Sequence, residues 1–100
     1  MANAKLRVFL VEFLNYLEPR RYEEQDGIIQ DQFQEVYEVL FVTSGNVLVG
    51  YRLFNDIFYT KSMSNQAIVG DFACLYNKVS EFLYKPQDIL EGYSIKKENF

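Results

Sequence analysis

Two apolar segments separated by a short turn constrain the fold of this chain most. Residues 36–42 (VYEVLFV) and 47–53 (VLVGYRL) are rich in the β-branched and aromatic side chains that favour pleated strands. Residues 43–46 between them are turn formers, and Gly45 is expected to adopt a positive φ. We therefore predict a β-hairpin here. A turn at Asn55 and Asp56 then leads into a third strand over residues 57–61.

The rest of the chain continues this pattern of short strands and turns. Further strands are predicted at residues 20–24, 28–30, 67–69, 81–85 and 92–96. Gln25, Asp26 and Gly27 form a turn signal, and Pro86 ends a strand. Strands spaced every ~8–12 residues indicate a β-barrel or sandwich. The length of 100 residues allows one small domain.

The N-terminal segment has the spacing of an amphipathic helix. Its apolar side chains share one helical face: Leu6, Phe9, Leu10, Phe13, Leu14 and Leu17. Because Pro19 disfavours helix at the residue before it, the helix is predicted over residues 1–18. We expect its apolar face to pack on the outside of the barrel, and a role in binding a partner helix is the alternative. The β-roll is then residues 19–96, and residues 97–100 begin a truncated C-terminal helix.

The segment from Ile68 to Ser80 is the one that could bind a ligand. It reads as a short strand, a glycine at Gly70, an acid at Asp71 and a helical run over residues 72–76. Glycine lets the backbone approach a ligand closely, and N–H groups at a helix start attract anions. Such a segment can hold a sugar phosphate. Asp71 could accept a hydrogen bond from a ribose or cap the helix, and the residue alone leaves both open.

Composition excludes several classes of function. The formal net charge of −4 argues against nucleic-acid binding, which uses a basic surface. The chain has no histidine and one cysteine, so we expect neither a zinc site nor an enzyme with an acid–base or triad mechanism. No apolar run approaches the roughly 18 residues of a membrane span, so no membrane insertion is expected. Cys74 lies among apolar residues and is predicted to be buried and inert, in a reducing compartment.

The order of these features resembles that of cyclic nucleotide-binding domains. The likeness covers residues 6 to 100, and it depends most on the segments EVLFVTSGNVLVGY and IVGDFACLYNK. It implies a mainly β fold with flanking helices, a jelly-roll β-barrel (double-stranded β-helix). It also implies that residues 68–82 correspond to the phosphate-binding cassette.

The resemblance implies a set of site residues, and it also shows where this chain departs from the family. The implied nucleotide contacts are Val69, Gly70, Asp71, Phe72, Ala73, Ser80 and Glu81. Asp71 stands for the glutamate that binds the ribose 2′-hydroxyl. The family's phosphate-gripping arginine is replaced by Ser80, or by Val79 if the register slides by one, and Glu81 adds a negative charge. Because no other side chain reproduces the guanidinium fork, the site is expected to be vestigial or weak. No cofactor is expected beyond a weak cAMP or cGMP ligand.

In lacking this arginine, the sequence resembles one branch of the family, the homology domains of ether-à-go-go-type potassium channels. That resemblance implies a regulatory domain on the cytoplasmic side of a voltage-gated potassium or cation channel, with weak or no cAMP and cGMP binding. Its partners would be the pore-forming and linker parts of the same subunit, in a homotetramer. Two alternatives stay open. One is a functional cAMP or cGMP sensor with non-standard phosphate contacts, and the other is a β-roll protein-interaction module.

Overall fold

Seven strands form two antiparallel sheets in this computed structural model, which describes residues 13–64 and 66–99. The strands are β1 Glu18–Tyr22, β2 Glu38–Ser44, β3 Val47–Leu53, β4 Asp56–Met63, β5 Ile68–Val69, β6 Leu83–Pro86 and β7 Leu90–Lys96. The first sheet has the order β1-β7-β2-β5 and the second the order β4-β3-β6. A short helix, α1, spans Asp71–Leu75, and 3-10 turns lie at Glu24–Asp26 and Lys97–Asn99. The mainly β class is confirmed, although the strand pairing among the described residues does not close the two sheets into a barrel.

The predicted hairpin between the two strongest strands is wrong. β2 pairs with β5 and β7, whereas β3 pairs with β4 and β6, so the connection between β2 and β3 crosses from one sheet to the other. Gly45 at this crossover has φ +88, and a Cβ there would lie 2.1 Å from the Ile89 carbonyl oxygen. The backbone N–H and side-chain amide of Asn46 donate to the Asp88 carboxylate at 2.8 and 2.9 Å. These contacts with the loop before β7 direct the chain across the roll.

Several predicted boundaries also change. The hairpin that does form joins β3 to β4 through the two-residue loop Phe54–Asn55. The strand predicted at residues 20–24 lies at Glu18–Tyr22, because this segment pairs with β7 from Glu18 onward. The strand predicted at residues 28–30 is reduced to an isolated bridge between Gln30 and Tyr84.

Strand β2 is buried on both faces and separates two apolar clusters. On the inner side lie Leu40, Val42, Val47, Val69 and Leu90. On the outer side lie Val36, Val39, Ala73, Cys74 and Ile95. A strand covered on both sides reads as a continuous apolar run, which is how residues 39–42 appear in the sequence.

The end of the N-terminal helix packs on the outer cluster. Residues 13–15 are helical, and Phe13 and Leu17 pack against that cluster. The rings of Phe13 and Phe41 meet edge to face at 6.3 Å. The helix predicted over residues 1–18 lies mostly outside the described residues, and its predicted last residue, Glu18, belongs to β1 instead.

Two further observations concern the described residues as a whole. No helix among residues 13–64 and 66–99 is both long and apolar enough to cross a membrane. In the same ranges no group of three or more acidic, cysteine or histidine side chains is placed to hold a metal ion.

Candidate functional site

Gly70 gives the cassette segment its shape. It is the N-cap of α1, with φ 90 and ψ 2, in the left-handed region that glycine adopts without strain. A Cβ there would lie 2.8 Å from Val36 Cγ1 and 3.1 Å from the Glu38 carbonyl oxygen. Asp71 is therefore the first residue of the helix, and the alternative in which its side chain is the N-cap is wrong. Its half-buried carboxylate is not used in capping.

Six of the seven predicted site residues line one cavity of about 200 Å³. They are Gly70, Asp71, Phe72, Ala73, Ser80 and Glu81, and the lining is completed by Val79, Phe82 and Tyr84. The seventh, Val69, is 4% exposed, pairs with Leu40 and belongs to the inner cluster. The volume is below the roughly 300–1,000 Å³ typical of small-molecule sites, so the cavity as it stands fits part of a nucleotide.

Ser80, which occupies the position of the family's arginine in the predicted register, lines the cavity. It is 5% exposed, and its hydroxyl donates to the Phe82 carbonyl oxygen at 2.6 Å. Its backbone is held from the opposite side, because its N–H donates to the Gln34 carbonyl at 3.0 Å and its carbonyl accepts from the Phe33 N–H at 2.8 Å. The segment around Gln34 is thus one support of the cavity.

The cavity has an acidic character. Asp71 and Glu81 both line it, and Tyr84 lies between α1 and the inner cluster. Burial raises the pKa of the Tyr84 phenol, and the negative charges of Asp71 and Glu81 raise that pKa further. Both carboxylates therefore act on the same part of the cavity, and an anion placed there would be repelled by both.

None of the nine lining residues is basic, although two lysines lie nearby in the sequence. Lys78, which could stand in for the arginine as a point charge, is exposed and does not line the cavity. The Lys85 ammonium lies 5.9 Å from the centre of the Tyr59 ring, on another strand. The prediction for Cys74 is confirmed as to burial: it is 9% exposed, its Sγ lies 3.7 Å from the Val36 carbonyl oxygen, and burial raises the pKa of its thiol.

Sequence reasoning missed three lining residues, Val79, Phe82 and Tyr84, as parts of the site. The sequence suggests Val79 only as an alternative register for the missing arginine, and Phe82 and Tyr84 have the pattern of ordinary strand residues. The residues that could have indicated the site are in β6, where Leu83 is fully buried and the next residue, Tyr84, packs against the inner cluster. Which face of this short strand adjoins α1 depends on tertiary pairing with β3.

Solved structures with the same fold include proteins bound to cAMP. The regulatory domain of Toxoplasma gondii PKA with cAMP superposes with a TM-score of 0.77 at 13% identity, over 85% of this chain. A cAMP-binding acyltransferase from Mycobacterium smegmatis gives 0.76 at 17% identity, over 88% of this chain. The regulatory subunit of a cAMP-independent protein kinase A from Trypanosoma brucei, a triple mutant bound to cAMP, gives 0.72 at 15% identity, over 82% of this chain. One of its three substitutions replaces a threonine with an arginine.

These comparisons establish the fold of the chain. It has the fold of cyclic nucleotide-binding domains, a mainly β jelly roll with short helices. No protein-family model and no curated protein matches the sequence. The chain spans 32%, 27% and 30% of the three structures above, which is between a quarter and a third of each.

Proposed function

We propose that this chain is a non-catalytic regulatory domain of cyclic nucleotide-binding type, with weak or no affinity for cAMP and cGMP. The observation that supports this most directly is the lining of the cavity, which has two carboxylates and no basic side chain. Loss of one charge-assisted phosphate contact weakens binding by ~1.5–3 kcal/mol, or about ten- to a hundredfold. Repulsion from Glu81 and Asp71 adds to that loss.

The packing of α1 supports a regulatory role. Ala73 and Cys74 of this helix belong to the outer cluster, which also contacts Phe13 and Leu17 near the N-terminal end of the described chain. A contact that displaced α1 would therefore disturb the packing of that end. A two-state change of this kind is how a pocket is coupled to a distant element.

The setting of the domain is a finer proposal. We place it on the cytoplasmic side of a voltage-gated potassium or cation channel of the ether-à-go-go type, as part of a homotetramer in contact with the linker and pore. Only the sequence resemblance supports this, because the three solved structures described above come from protein kinase A and an acyltransferase. Finding membrane spans elsewhere in a longer chain would support the channel setting.

A gain-of-function variant tests the proposed loss of nucleotide binding. Replacing Ser80→Arg together with Glu81→Thr supplies the guanidinium fork and removes the nearest negative charge. We expect calorimetric titration with cAMP to show no binding at millimolar ligand for the natural chain and measurable binding for the double variant. The Trypanosoma brucei structure, in which an introduced arginine accompanies bound cAMP, supports this design.

The matched control is Ser80→Gln with Glu81→Thr, which keeps side-chain bulk without the charge and is expected to remain silent. Circular dichroism of both double variants verifies that each is folded. Micromolar cAMP affinity in the natural chain would contradict the proposal and favour a functional sensor with non-standard contacts.

A further inference from the structure

The longest of the seven strands, β4, has one edge that no described strand covers. β4 spans eight residues and lies at the end of the order β4-β3-β6, so among residues 13–64 and 66–99 it pairs with β3 alone. Its first seven residues are all exposed. A long exposed edge strand presents a row of unpaired N–H and C=O groups, so it can act as a template for a further strand.

The other three edges of the two sheets are less suited to such pairing. β1 contains Pro19, which has no N–H to donate, and β5 has only two residues. β6 has four residues, and one of them, Tyr84, already forms a bridge to another segment. β4 contains no proline, and its three large apolar side chains are 37%, 45% and 41% exposed: Ile57, Phe58 and Tyr59. Strand addition is therefore favoured most at β4.

The register of β4 with β3 assigns its side chains to the two faces of the sheet. Residues directly opposite each other share a face, and successive residues of a strand alternate between faces. Asp56, Phe58 and Lys61 lie opposite alternate residues of β3 and therefore share one face. Ile57 and Tyr59 share the other face. The ring of Phe58 stacks on an aromatic ring of β3 at 5.8 Å, which agrees with this assignment.

A bulge in β4 puts its two charged side chains on the same face. The strand has one residue more than β3 between Tyr59 and Lys61. The hydroxyl of that extra residue, Thr60, donates to the Val49 carbonyl at 3.2 Å. In a regular strand Asp56 and Lys61 would lie on opposite faces, because they are an odd number of positions apart. Neither side chain has an ion-pair or hydrogen-bond partner among the described residues.

This arrangement makes the exposed edge of β4 complementary to itself. In an antiparallel pair of two copies centred on Phe58, that residue faces its counterpart, and Ile57 faces Tyr59 of the other copy. Because the bulged residue is skipped in each strand, Asp56 then faces Lys61 of the other copy. The two members of each facing pair lie on the same face of the joined sheet. By the two-fold symmetry, both the pair of opposite charges and the aliphatic–aromatic pair occur twice, and each is stabilising across strands.

We propose that the exposed edge of β4 joins two copies of this chain by antiparallel strand pairing centred on Phe58. A lysine in an edge strand ordinarily opposes pairing, because its charge loses water without gaining a partner. In this register Lys61 gains Asp56 of the second copy, so the charge selects the register. A strand of another protein would need the same order of charges and aromatic rings, which this chain already supplies. The pairing involves neither the cavity nor α1 and does not depend on the proposed function.

Charge-swap variants of the whole chain test the pairing by sedimentation equilibrium over a range of concentrations. We expect a monomer–dimer equilibrium for the natural chain. Asp56→Lys places lysines opposite each other, and Lys61→Glu places carboxylates opposite each other, twice in each dimer. Each single variant should therefore weaken dimerisation by about tenfold or more. The double variant, Asp56→Lys with Lys61→Glu, again has opposite charges facing each other and should recover the natural affinity.

The matched control is Lys78→Glu. It changes the net charge by the same amount as Lys61→Glu, at an exposed lysine outside β4, and should leave dimerisation unchanged. Circular dichroism verifies that each variant is folded. Nuclear magnetic resonance of the natural chain gives a test that needs no variant, because dilution should shift the backbone amides of residues 56–61 most.

Three results would overturn the proposal. A natural chain that stays monomeric at millimolar concentration would leave the edge of β4 to a strand of another protein. Dilution shifts centred outside β4 would assign self-association to another surface. A dimer that the single substitutions do not weaken, or that the double substitution does not recover, would mean that Asp56 and Lys61 do not face each other across it.

Discussion

Two buried serines illustrate how much the setting of a single side chain matters. Ser80 is 5% exposed and its hydroxyl is bonded to the Phe82 carbonyl, whereas Ser94 is fully buried in β7 and its Oγ has no hydrogen-bond partner among the described residues. A buried hydroxyl without a partner loses its bonds to water and gains nothing in return. The same residue type thus stabilises one site and destabilises the other.

Substituting these serines by alanine should have effects of opposite sign. Ser94→Ala removes the unpaired hydroxyl and should raise the free energy of unfolding by about 1 kcal/mol. Ser80→Ala removes a paired hydroxyl and should lower it by about 1 kcal/mol. Urea denaturation of both variants measures the difference, and a loss of stability in Ser94→Ala would show that its hydroxyl is satisfied in solution.

At the residue scale, six of the seven residues predicted for the site line one cavity, because part of the signal is local. Gly70 and Asp71 could be recognised because a glycine before an acid and a helical run is a local signal. The positive φ of Phe33 and Phe54 could not, since sequence rules assign such angles to glycine and asparagine and give no reason to place an aromatic side chain there. Phe54 lies in the two-residue loop that the register of β3 with β4 leaves between Leu53 and Asp56.

At the scale of elements, the connection between β2 and β3 differs from the prediction, because the local sequence predicts a hairpin and the structure has a crossover between sheets. Two adjacent apolar strands with a glycine turn normally form a hairpin, and the local signal here is indistinguishable from one. What decides otherwise is that both strands are central, each with neighbours from distant parts of the chain. Non-local pairing of this kind leaves no trace in a short window of sequence.

The crossover makes a specific prediction about its glycine. Gly45→Ala combines a left-handed φ with a Cβ 2.1 Å from a carbonyl oxygen of the backbone, so it should be destabilised by ~3 kcal/mol or more. Gly27→Ala is the matched control, because it has φ +74 with nothing within 4 Å of the new Cβ. It should lose only the backbone strain of its positive φ and ψ of −146, about 1–3 kcal/mol. Thermal or urea unfolding gives both values, and equal losses would show that the contact with Ile89 is not rigid.

At the scale of the whole molecule, net charge and stability are linked through a few carboxylates. Hydrogen bonds from Asn46 hold the pKa of Asp88 below its ordinary value, and the bond from Arg20 does the same for Glu18. A carboxyl whose pKa is lower in the folded than in the unfolded chain binds fewer protons when folded. Its contribution to stability is complete above the unfolded pKa of about 4 and is lost as the pH falls through the folded value.

The pH dependence of unfolding tests this reasoning. We expect the free energy of unfolding to be nearly constant from pH 7 to about 5 and to fall below about pH 4. Asp88→Asn should make the acid side of this curve less steep, because residue 88 then takes up no proton. Denaturant titrations at a series of pH values measure the slope. An unchanged slope in the variant would mean that the contact between residues 46 and 88 does not persist in solution.

The whole-molecule fold was the part most accessible from sequence, because strand spacing and the cassette segment agree with each other. The pairing of the strands and the nature of the cavity lining were less accessible. Many weak local preferences for strands and turns together specify a roll of two sheets. The residues that line the cavity depend instead on which short strand packs next to α1. The cavity therefore shows its acidity only after folding has brought Asp71 and Glu81 to the same wall.

The position of Cys74 has a practical consequence. It is the single cysteine of the chain, and it belongs to the outer cluster, against which Phe13 and Leu17 also pack. Because Cys74 is largely buried, a thiol reagent should react with it faster when α1 moves away from the outer cluster, so the alkylation rate reports on that motion. Cys74 thus allows motion of α1, which lines the cavity, to be followed without an engineered label.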